Sequence, residues 1–325
     1  MMNKTRFLPV KAFLLAFTFI LLQLACNRTP QDGQSTPSVV HIGSPFVAVD
    51  FAPYYVARSK GWFEEALKGR GAKPEYISFQ SVPPINESFA TGRVDFVFVA
   101  EPPIIVGKSA GINEKIIGLS CSLVQEILVP ANSSIKSIAD LKGKKVAVLF
   151  GSSSHYGLLK LLKEAGLDSS DLEIIDMAPP DAKSAFETNQ VDAWAVWPPF
   201  VEQEEIAGKG RVLPRGDAFI QSILAARGDF IRQNPDLTRD IVSVLNRAKQ
   251  WIRDNPDEAQ AIVAKEVNVP LDVVKRAWPR HDWAAQLDEE VITDIQAKAA
   301  FLQSNGFIKN SIDVRKDLID LSFLK

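Results

Sequence analysis

Short apolar runs alternate with amphipathic stretches from residue 39 to residue 227 of the 325-residue chain. Glycine, proline or small polar residues bound several of these runs, which is the pattern of buried strands. Because the stretches between the runs have helical spacing, the pattern predicts an α/β fold whose sheets are mostly parallel. The predicted strands cover residues 39–43, 74–79, 94–100, 121–129, 145–150, 173–177, 191–196 and 222–227.

Helices are predicted between these strands, and after residue 227 the remaining chain is predicted to be helical. Pairs of prolines open several of them, and proline is well suited to the first turn of a helix. The predicted helices cover residues 53–60, 137–143, 238–254, 256–267, 271–277 and 289–305, with others ending at residues 90, 166 and 187.

The stretch 143–166 joins a buried strand to a helix through three hydroxyl residues, Ser152, Ser153 and Ser154. A strand that passes through a small polar turn into a helix N-terminus presents free backbone N–H groups and the positive end of the helix dipole. The hydroxyl groups add further donors, so the stretch predicts an anion site. The alternative interpretation is an ordinary N-cap with additional serines.

A repeated sequence motif, which we call the Val-Asp repeat, indicates two similar halves. Val94-Asp95 leads through a strand to Glu101-Pro102-Pro103, and Val191-Asp192 leads through a strand to Trp197-Pro198-Pro199. We therefore predict two β/α lobes joined by a double crossover near residues 121–129 and 220–227. Lobe 1 is predicted to comprise residues 39–123 and 225–325, and lobe 2 residues 124–224. Ligands of such sheets bind at the carboxyl ends of the strands.

The N-terminus predicts export. Basic Lys4, Arg6 and Lys11 precede an apolar run at 12–22, which is typical of a signal peptide over residues 1–25. Cys26 after Leu-Ala resembles the lipobox of bacterial lipoproteins, and a plain signal peptide is the alternative. Residues 26–38 have the composition of a flexible tether. We expect the mature chain in the periplasm or on the outer face of the cytoplasmic membrane, held there by a lipid anchor only.

Charge and residue composition narrow the classes of function. Loss of residues 1–25 removes three basic and no acidic residues, which moves the formal net charge from −2 to −5 and gives no support for a nucleic-acid partner. The histidines at 41, 155 and 281 lie far apart without cysteine or acids at metal spacing. No Gly-x4-Gly-Lys-Ser/Thr or Gly-x-Ser-x-Gly motif is present. We therefore expect no metal, no cofactor and no enzyme activity.

Several short motifs occur along the chain in a fixed order: Gly61-Trp62-Phe63, 79–84, 92–96, 101–103, 141–148, Gly151-Ser152-Ser153-Ser154-His155, Pro180-Asp181-Ala182 and 191–197. Together these motifs resemble the solute-binding proteins of ABC importers in the nitrate, sulfonate and taurine group, and the last three look most like the aliphatic-sulfonate branch. The resemblance implies a bilobed type II periplasmic-binding-protein fold, a small organic anion such as an aliphatic sulfonate or taurine as ligand, an ABC permease as partner, and a monomer. Nitrate or bicarbonate, a thiamine-pyrimidine precursor, or an enzyme of the same fold are the alternatives.

A sulfonate spreads one charge over three oxygens and carries no proton, so neutral N–H and O–H donors satisfy it well. One lobe offers Ser81 ahead of its paired prolines, and the other offers the serines at 152–154. His155 either donates to the anion or packs within the first helical turn. Trp197 either covers the organic part of the ligand or packs in the core.

Glu101 is the predicted acid of this site. An acid at the start of a helix is normally stabilised by the dipole alone. If Glu101 faces the ligand, a bare carboxylate there would repel a sulfonate unless the ligand also carries an ammonium, as taurine does. Glu101 would then distinguish taurine from simple alkanesulfonates.

Overall fold

Two sheets of mixed strand direction form the frame of the protein in a computed structural model, which describes residues 37–45, 47–79, 83–214, 216 and 218–324. Each predicted strand overlaps an observed one, and short strands at 210–212 and 281–282 were not predicted. In chain order the strands are β1 (Val39–Pro45), β2 (Lys73–Phe79), β3 (Phe96–Ala100), β4 (Glu114–Val124), β5 (Glu126–Pro130), β6 (Lys145–Val148), β7 (Glu173–Asp176), β8 (Ala193–Val196), β9 (Gly210–Val212), β10 (Phe219–Arg227) and β11 (His281–Asp282).

Helices connect these strands and form most of the chain after β10. None of the described helices is long and apolar enough to cross a membrane. In chain order they are α1 (Ala52–Ser59), α2 (Trp62–Lys68), α3 (Pro83–Ala90), α4 (Glu101–Ser109), α5 (Ser153–Glu164), α6 (Pro179–Glu187), α7 (Phe200–Ile206), α8 (Gly228–Gln233), α9 (Pro235–Asp254), α10 (Pro256–Glu266), α11 (Leu271–Ala277) and α12 (Glu289–Ser304).

The two sheets repeat one strand order. The first runs β11-β4-β10-β3-β1-β2 and the second runs β7-β6-β8-β5-β9. In each sheet three strands are parallel, β2-β1-β3 and β7-β6-β8, and the strand beyond them is antiparallel. The prediction of mostly parallel sheets is therefore wrong, because the strands next to the crossovers run against their neighbours.

The single strand predicted over 121–129 is two strands of different sheets. β4 ends at Val124 in the first sheet and β5 begins at Glu126 in the second. Between them Gln125 donates its backbone N–H to the Ala218 carbonyl, 2.8 Å away. Only two polar residues, Gln125 and Glu126, interrupt the apolar pattern at this break, and two polar residues do not by themselves reveal a crossover.

The Val-Asp repeat has the same structural role in both halves. Asp95 donates its backbone N–H to the His41 carbonyl (3.0 Å), and its carboxylate accepts the His41 N–H (2.9 Å). Asp192 makes the same pair of bonds with Lys145, at 2.8 and 2.9 Å. Each aspartate therefore ties the start of the third strand to the first strand of its sheet.

The hydrophobic core of the first sheet is the larger one. Tyr54, Phe63 and Phe98 pack there as a buried aromatic group, and the helices after β10 cover the same sheet. Two smaller clusters cover the faces of the second sheet. β10 lies in the first sheet from Phe219 onward, and the lobe boundaries proposed at 123/124 and 224/225 stay predictions.

Candidate functional site

One cavity lies where strands of both sheets end, and it measures about 610 Å³ with its open mouth included. The last residues of β1, β3 and β8, which are Pro45, Ala100 and Val196, form part of its wall. This is the edge at which α/β sheets bind their ligands. We call it the cleft. Its described lining residues are Pro45, Ala48, Asp50, Phe51, Ile85, Val99, Ala100, Pro103, Leu123, Val124, Gln125, Glu126, Ser152, Ser153, Val196, Trp197, Pro198 and Ile220.

Two of the predicted serines stand at the wall of the cleft. Ser152 is the N-cap of α5: its hydroxyl accepts the His155 backbone N–H (3.3 Å) and donates to the Leu149 carbonyl (2.7 Å). Ser153 is the first residue of the helix and also lines the cleft. The first-turn N–H groups of a twelve-residue helix are therefore presented beside the cavity.

Ser154 and His155 lie behind that wall. Ser154 is fully buried, and its hydroxyl has no hydrogen-bond partner among the described residues. The His155 ring stacks on Phe150 with centroids 4.5 Å apart, and its Nδ1 accepts the Gly151 N–H at 3.3 Å. Burial lowers the pKa of His155, which favours the neutral ring. The geometry matches the packing alternative for His155, and ligand contact by either residue stays a prediction.

Trp197 lines the cleft and joins its two sides. Its indole Nε1 donates to the Val47 carbonyl at 2.9 Å, and the neighbouring Pro198 carbonyl accepts the Val49 N–H at 3.4 Å. Trp197 and Pro198 follow β8 of the second sheet, whereas Val47 and Val49 follow β1 of the first sheet. Trp197 also packs against hydrophobic clusters of both sheets, and its contact with a ligand stays a prediction.

Glu101 is fully buried as the first residue of α4 and is not part of the cleft lining. The Lys298 ammonium donates to its carboxylate, and the Gln221 N–H donates to Oε2 at 2.9 Å. Burial raises the pKa of Glu101, and Lys298 opposes that rise. The premise of a bare carboxylate is wrong, because Lys298 of α12 supplies a cation from far along the chain. Ligand contact by Glu101 stays a prediction that this geometry does not favour.

Two predicted residues lie outside the described part of the chain. Ser81 precedes α3, whose Ile85 lines the cleft. Cys26 lies ahead of residue 37, where the description begins. Their roles in anion binding and lipidation stay predictions.

Asp50 is a cleft residue that the sequence did not single out. It lies in a 3-10 turn, Val49–Phe51, and is 95% buried, with 5% exposed. The Ser222 hydroxyl donates to its Oδ2, and burial raises the pKa of Asp50 to about 6. The signal available in the sequence was the position of Asp50. It follows the first strand and precedes a helix that opens with Pro53, as Glu101 follows the third strand and precedes Pro102.

Glu126 also lines the cleft and has a cation behind it. The Arg280 guanidinium donates to Glu126 and to Glu205 (2.6 Å), and its Nε lies 3.0 Å from Glu202. Arg280 immediately precedes β11 of the first sheet, whereas Glu126 belongs to β5 of the second. This cluster therefore joins the two sheets beside the cleft.

Gln125 is held in place by its amide and by a close helix. Its Nε2 donates to the carbonyls of Glu126 (2.6 Å) and Val196 (3.2 Å). A Cβ at Gly157 would stand only 2.4 Å from Gln125 Cγ. Glycine at this position thus allows α5 to approach the crossover closely enough to present its N-terminus at the cleft. No group of three potential metal ligands occurs among the described residues.

A family model described as NMT1/THI5 like matches residues 48–259. A putative aliphatic sulfonates-binding protein of Bacillus subtilis (strain 168) is 33% identical over 321 residues, which cover 96% of this chain and 94% of that protein. A putative aliphatic sulfonates-binding protein of Escherichia coli (strain K12) is 30% identical over 261 residues, covering 75% of this chain and 79% of its own length.

The solved structure of the periplasmic aliphatic sulphonate binding protein SsuA from Escherichia coli has a TM-score of 0.75 and 26% identity, and the match covers 88% of this chain and 94% of that one. This match confirms the expected bilobed binding-protein fold. The desulfurization enzyme DSZB has a TM-score of 0.69 at 16% identity, with 89% and 98% of the two chains covered. That likeness shows the fold alone.

Proposed function

The chain belongs to the NMT1/THI5-like family, and from that premise we propose that it is the extracytoplasmic solute-binding protein of an ABC importer for an aliphatic sulfonate or a taurine-like aminosulfonate. The observation that carries the proposal is the N-terminus of α5, which meets the cleft with Ser152 and Ser153. The relatives named for sulfonate binding agree with it in the class of ligand.

The chemistry of the cleft suits a sulfonate with a short organic part. Backbone N–H groups at a helix N-terminus, assisted by the hydroxyl of Ser153, stabilise a permanent anion without a lysine. The hydroxyl proton of Ser152 is donated to the Leu149 carbonyl. The apolar wall, which includes Phe51, Val99 and Trp197, suits the carbon chain. Three or four hydrogen bonds to the charged group, at about 1.5–3 kcal/mol each, are compatible with micromolar affinity once the entropy of binding is subtracted.

The direct test is a thermal-shift screen of taurine, alkanesulfonates, nitrate, bicarbonate and thiamine-pyrimidine precursors. A ligand at about 100 times its dissociation constant should stabilise the protein by about 2.7 kcal/mol. Stabilisation by sulfonates supports the proposal. Stabilisation by nitrate, bicarbonate or a pyrimidine instead would replace it with the corresponding alternative.

Single substitutions should distinguish Ser152 and Ser153, which line the cleft, from Ser154, which is buried behind it. We expect Ser153→Ala to weaken sulfonate binding by roughly ten-fold, because one hydrogen bond to a charged group is lost. Ser152→Ala should also cost about 1 kcal/mol of stability, since it removes the N-cap. Calorimetric titration and urea unfolding measure the two effects, with buried Ser154→Ala as the matched variant. Unchanged affinity in Ser153→Ala would mean that the stretch is an ordinary N-cap with additional serines.

We also propose that the mature chain begins at Cys26 and is lipid-anchored on the outer face of the cytoplasmic membrane, where it delivers its ligand to a permease as a monomer. Mass spectrometry of the protein extracted from membranes should show an N-terminal Cys26 that carries a diacylglyceryl group. Cys26→Ala should lack that modification. A mature N-terminus at another residue, or an unmodified Cys26, would contradict the anchor and leave the binding function standing.

A further inference from the structure

Three carboxylates lie in or behind the wall of the cleft, and they differ in what balances their charge. Glu126 is paired with Arg280, and Glu101 is paired with Lys298. Asp50 has no cation at ion-pair distance within the part of the chain that the structure describes; its side-chain partner there is the hydroxyl of Ser222. Among the described residues, one negative charge at the cleft is therefore left without a counter-charge.

Asp50 lines the cleft, and one oxygen of its buried carboxylate lacks a donor among the described residues. Oδ2 accepts from Ser222, whereas Oδ1 has no hydrogen-bond partner among the described residues, although the side chain is 95% buried, with 5% exposed. Burial raises the pKa of Asp50 to about 6, as expected for a carboxylate with too few donors. A buried acceptor without a donor costs free energy, and a donor supplied by a bound molecule would recover it.

We propose that Asp50 is a specificity-determining residue that selects a sulfonate bearing a protonated amine. This inference rests on the proposed function and narrows its ligand class to aminosulfonates. The sulfonate is placed at the N-terminus of α5, where Ser152 and Ser153 line the cleft, and the ammonium is placed at Oδ1 of Asp50. The cleft then holds a zwitterion with each end at a group of opposite charge.

A sulfonate without an amine fits the same cleft less well for two reasons. Its single negative charge would share a largely apolar cavity with the carboxylate of Asp50, where the repulsion is stronger than in water. Its terminal methyl would also leave Oδ1 without a donor. A site built to hydrogen-bond one group discriminates strongly against an analogue that lacks it.

The matched ligands are taurine and 1-propanesulfonate, which differ by an ammonium in place of a methyl group. Calorimetric titration of both into the wild-type protein should show taurine binding roughly 10- to 100-fold more tightly. Asp50→Asn should reduce that preference to about three-fold or less, mainly through weaker taurine binding. Glu114→Gln is the control, because Glu114 is a buried acid outside the cleft lining, and it should keep the full preference.

The outcomes of this experiment distinguish the role of Asp50 from the proposed function. Equal binding of the two sulfonates by the wild type would overturn the role of Asp50 and leave the proposed function intact. A full taurine preference in Asp50→Asn would do the same. Failure of both sulfonates to bind the wild type would overturn the proposed function and this inference together. If Asp50→Asn does not fold, as judged by thermal unfolding without ligand, the wild-type comparison alone decides.

Discussion

Replacing Lys298 with methionine should destabilise the protein by about 3–5 kcal/mol, because it leaves the carboxylate of Glu101 buried without its cation. Both side chains are fully buried, and Lys298 also donates to Asp294 at 2.7 Å. The pair ties α12 to the start of α4, directly behind the cleft. Urea unfolding near neutral pH measures the loss. Lys265→Met, at an exposed lysine of α10, is the control and should change stability by about 0.5 kcal/mol or less.

The loss of stability in Lys298→Met should depend on pH. Burial already raises the pKa of Glu101 above its ordinary 4.5, and removal of Lys298 raises it further. A carboxyl whose pKa is raised by folding loses stability as pH rises above the unfolded value. The difference from wild type should therefore be smaller at about pH 5 than at about pH 8. A difference that is independent of pH would mean that Lys298 contributes through packing of its aliphatic stem. Adding Glu101→Gln should recover part of the loss.

Replacing Glu114 with glutamine should stabilise the protein by about 3 kcal/mol at pH 7. Glu114 is fully buried in β4, neither of its carboxyl oxygens has a hydrogen-bond partner among the described residues, and burial raises its pKa to about 9. Folding at neutral pH must therefore protonate a group that is ionised in the unfolded chain. Glutamine has nearly the same shape and is neutral at every pH.

The sign of this effect is set by which state holds the proton. Between the unfolded value of 4.5 and the folded value of about 9, the folded protein binds a proton that the unfolded chain has released, so the wild type loses stability as pH rises. Glu114→Gln should remove that slope. Urea unfolding at about pH 5, 7 and 9 should show a gain that grows with pH. Glu87→Gln, at an exposed acid of α3, should show no such gain. Parallel pH profiles for wild type and Glu114→Gln would contradict the prediction.

The local sequence was sufficient for most of the strands and for the helix N-terminus that meets the cleft. Strands such as β1 and β6 are predicted because apolar runs bounded by glycine or proline depend only on neighbours along the chain. The same holds for the N-terminus of α5, where the cap residue and the following helix lie within a few positions. The repeat of Val-Asp before β3 and β8 likewise predicted two related halves.

The crossover and the charges of the cleft were decided by tertiary structure. Hydrophobicity did not separate β4 from β5, because only two polar residues, Gln125 and Glu126, interrupt the apolar pattern at the crossover. Glu101 was the predicted acid of the site, but Lys298, which pairs with it, is 197 residues away in sequence. The sequence did not single out Asp50, whose hydroxyl donor, Ser222 of β10, lies 172 residues later in the chain. The charge and hydrogen bonding of a buried group depend on which distant side chains reach it, and that information exists only once the chain has folded.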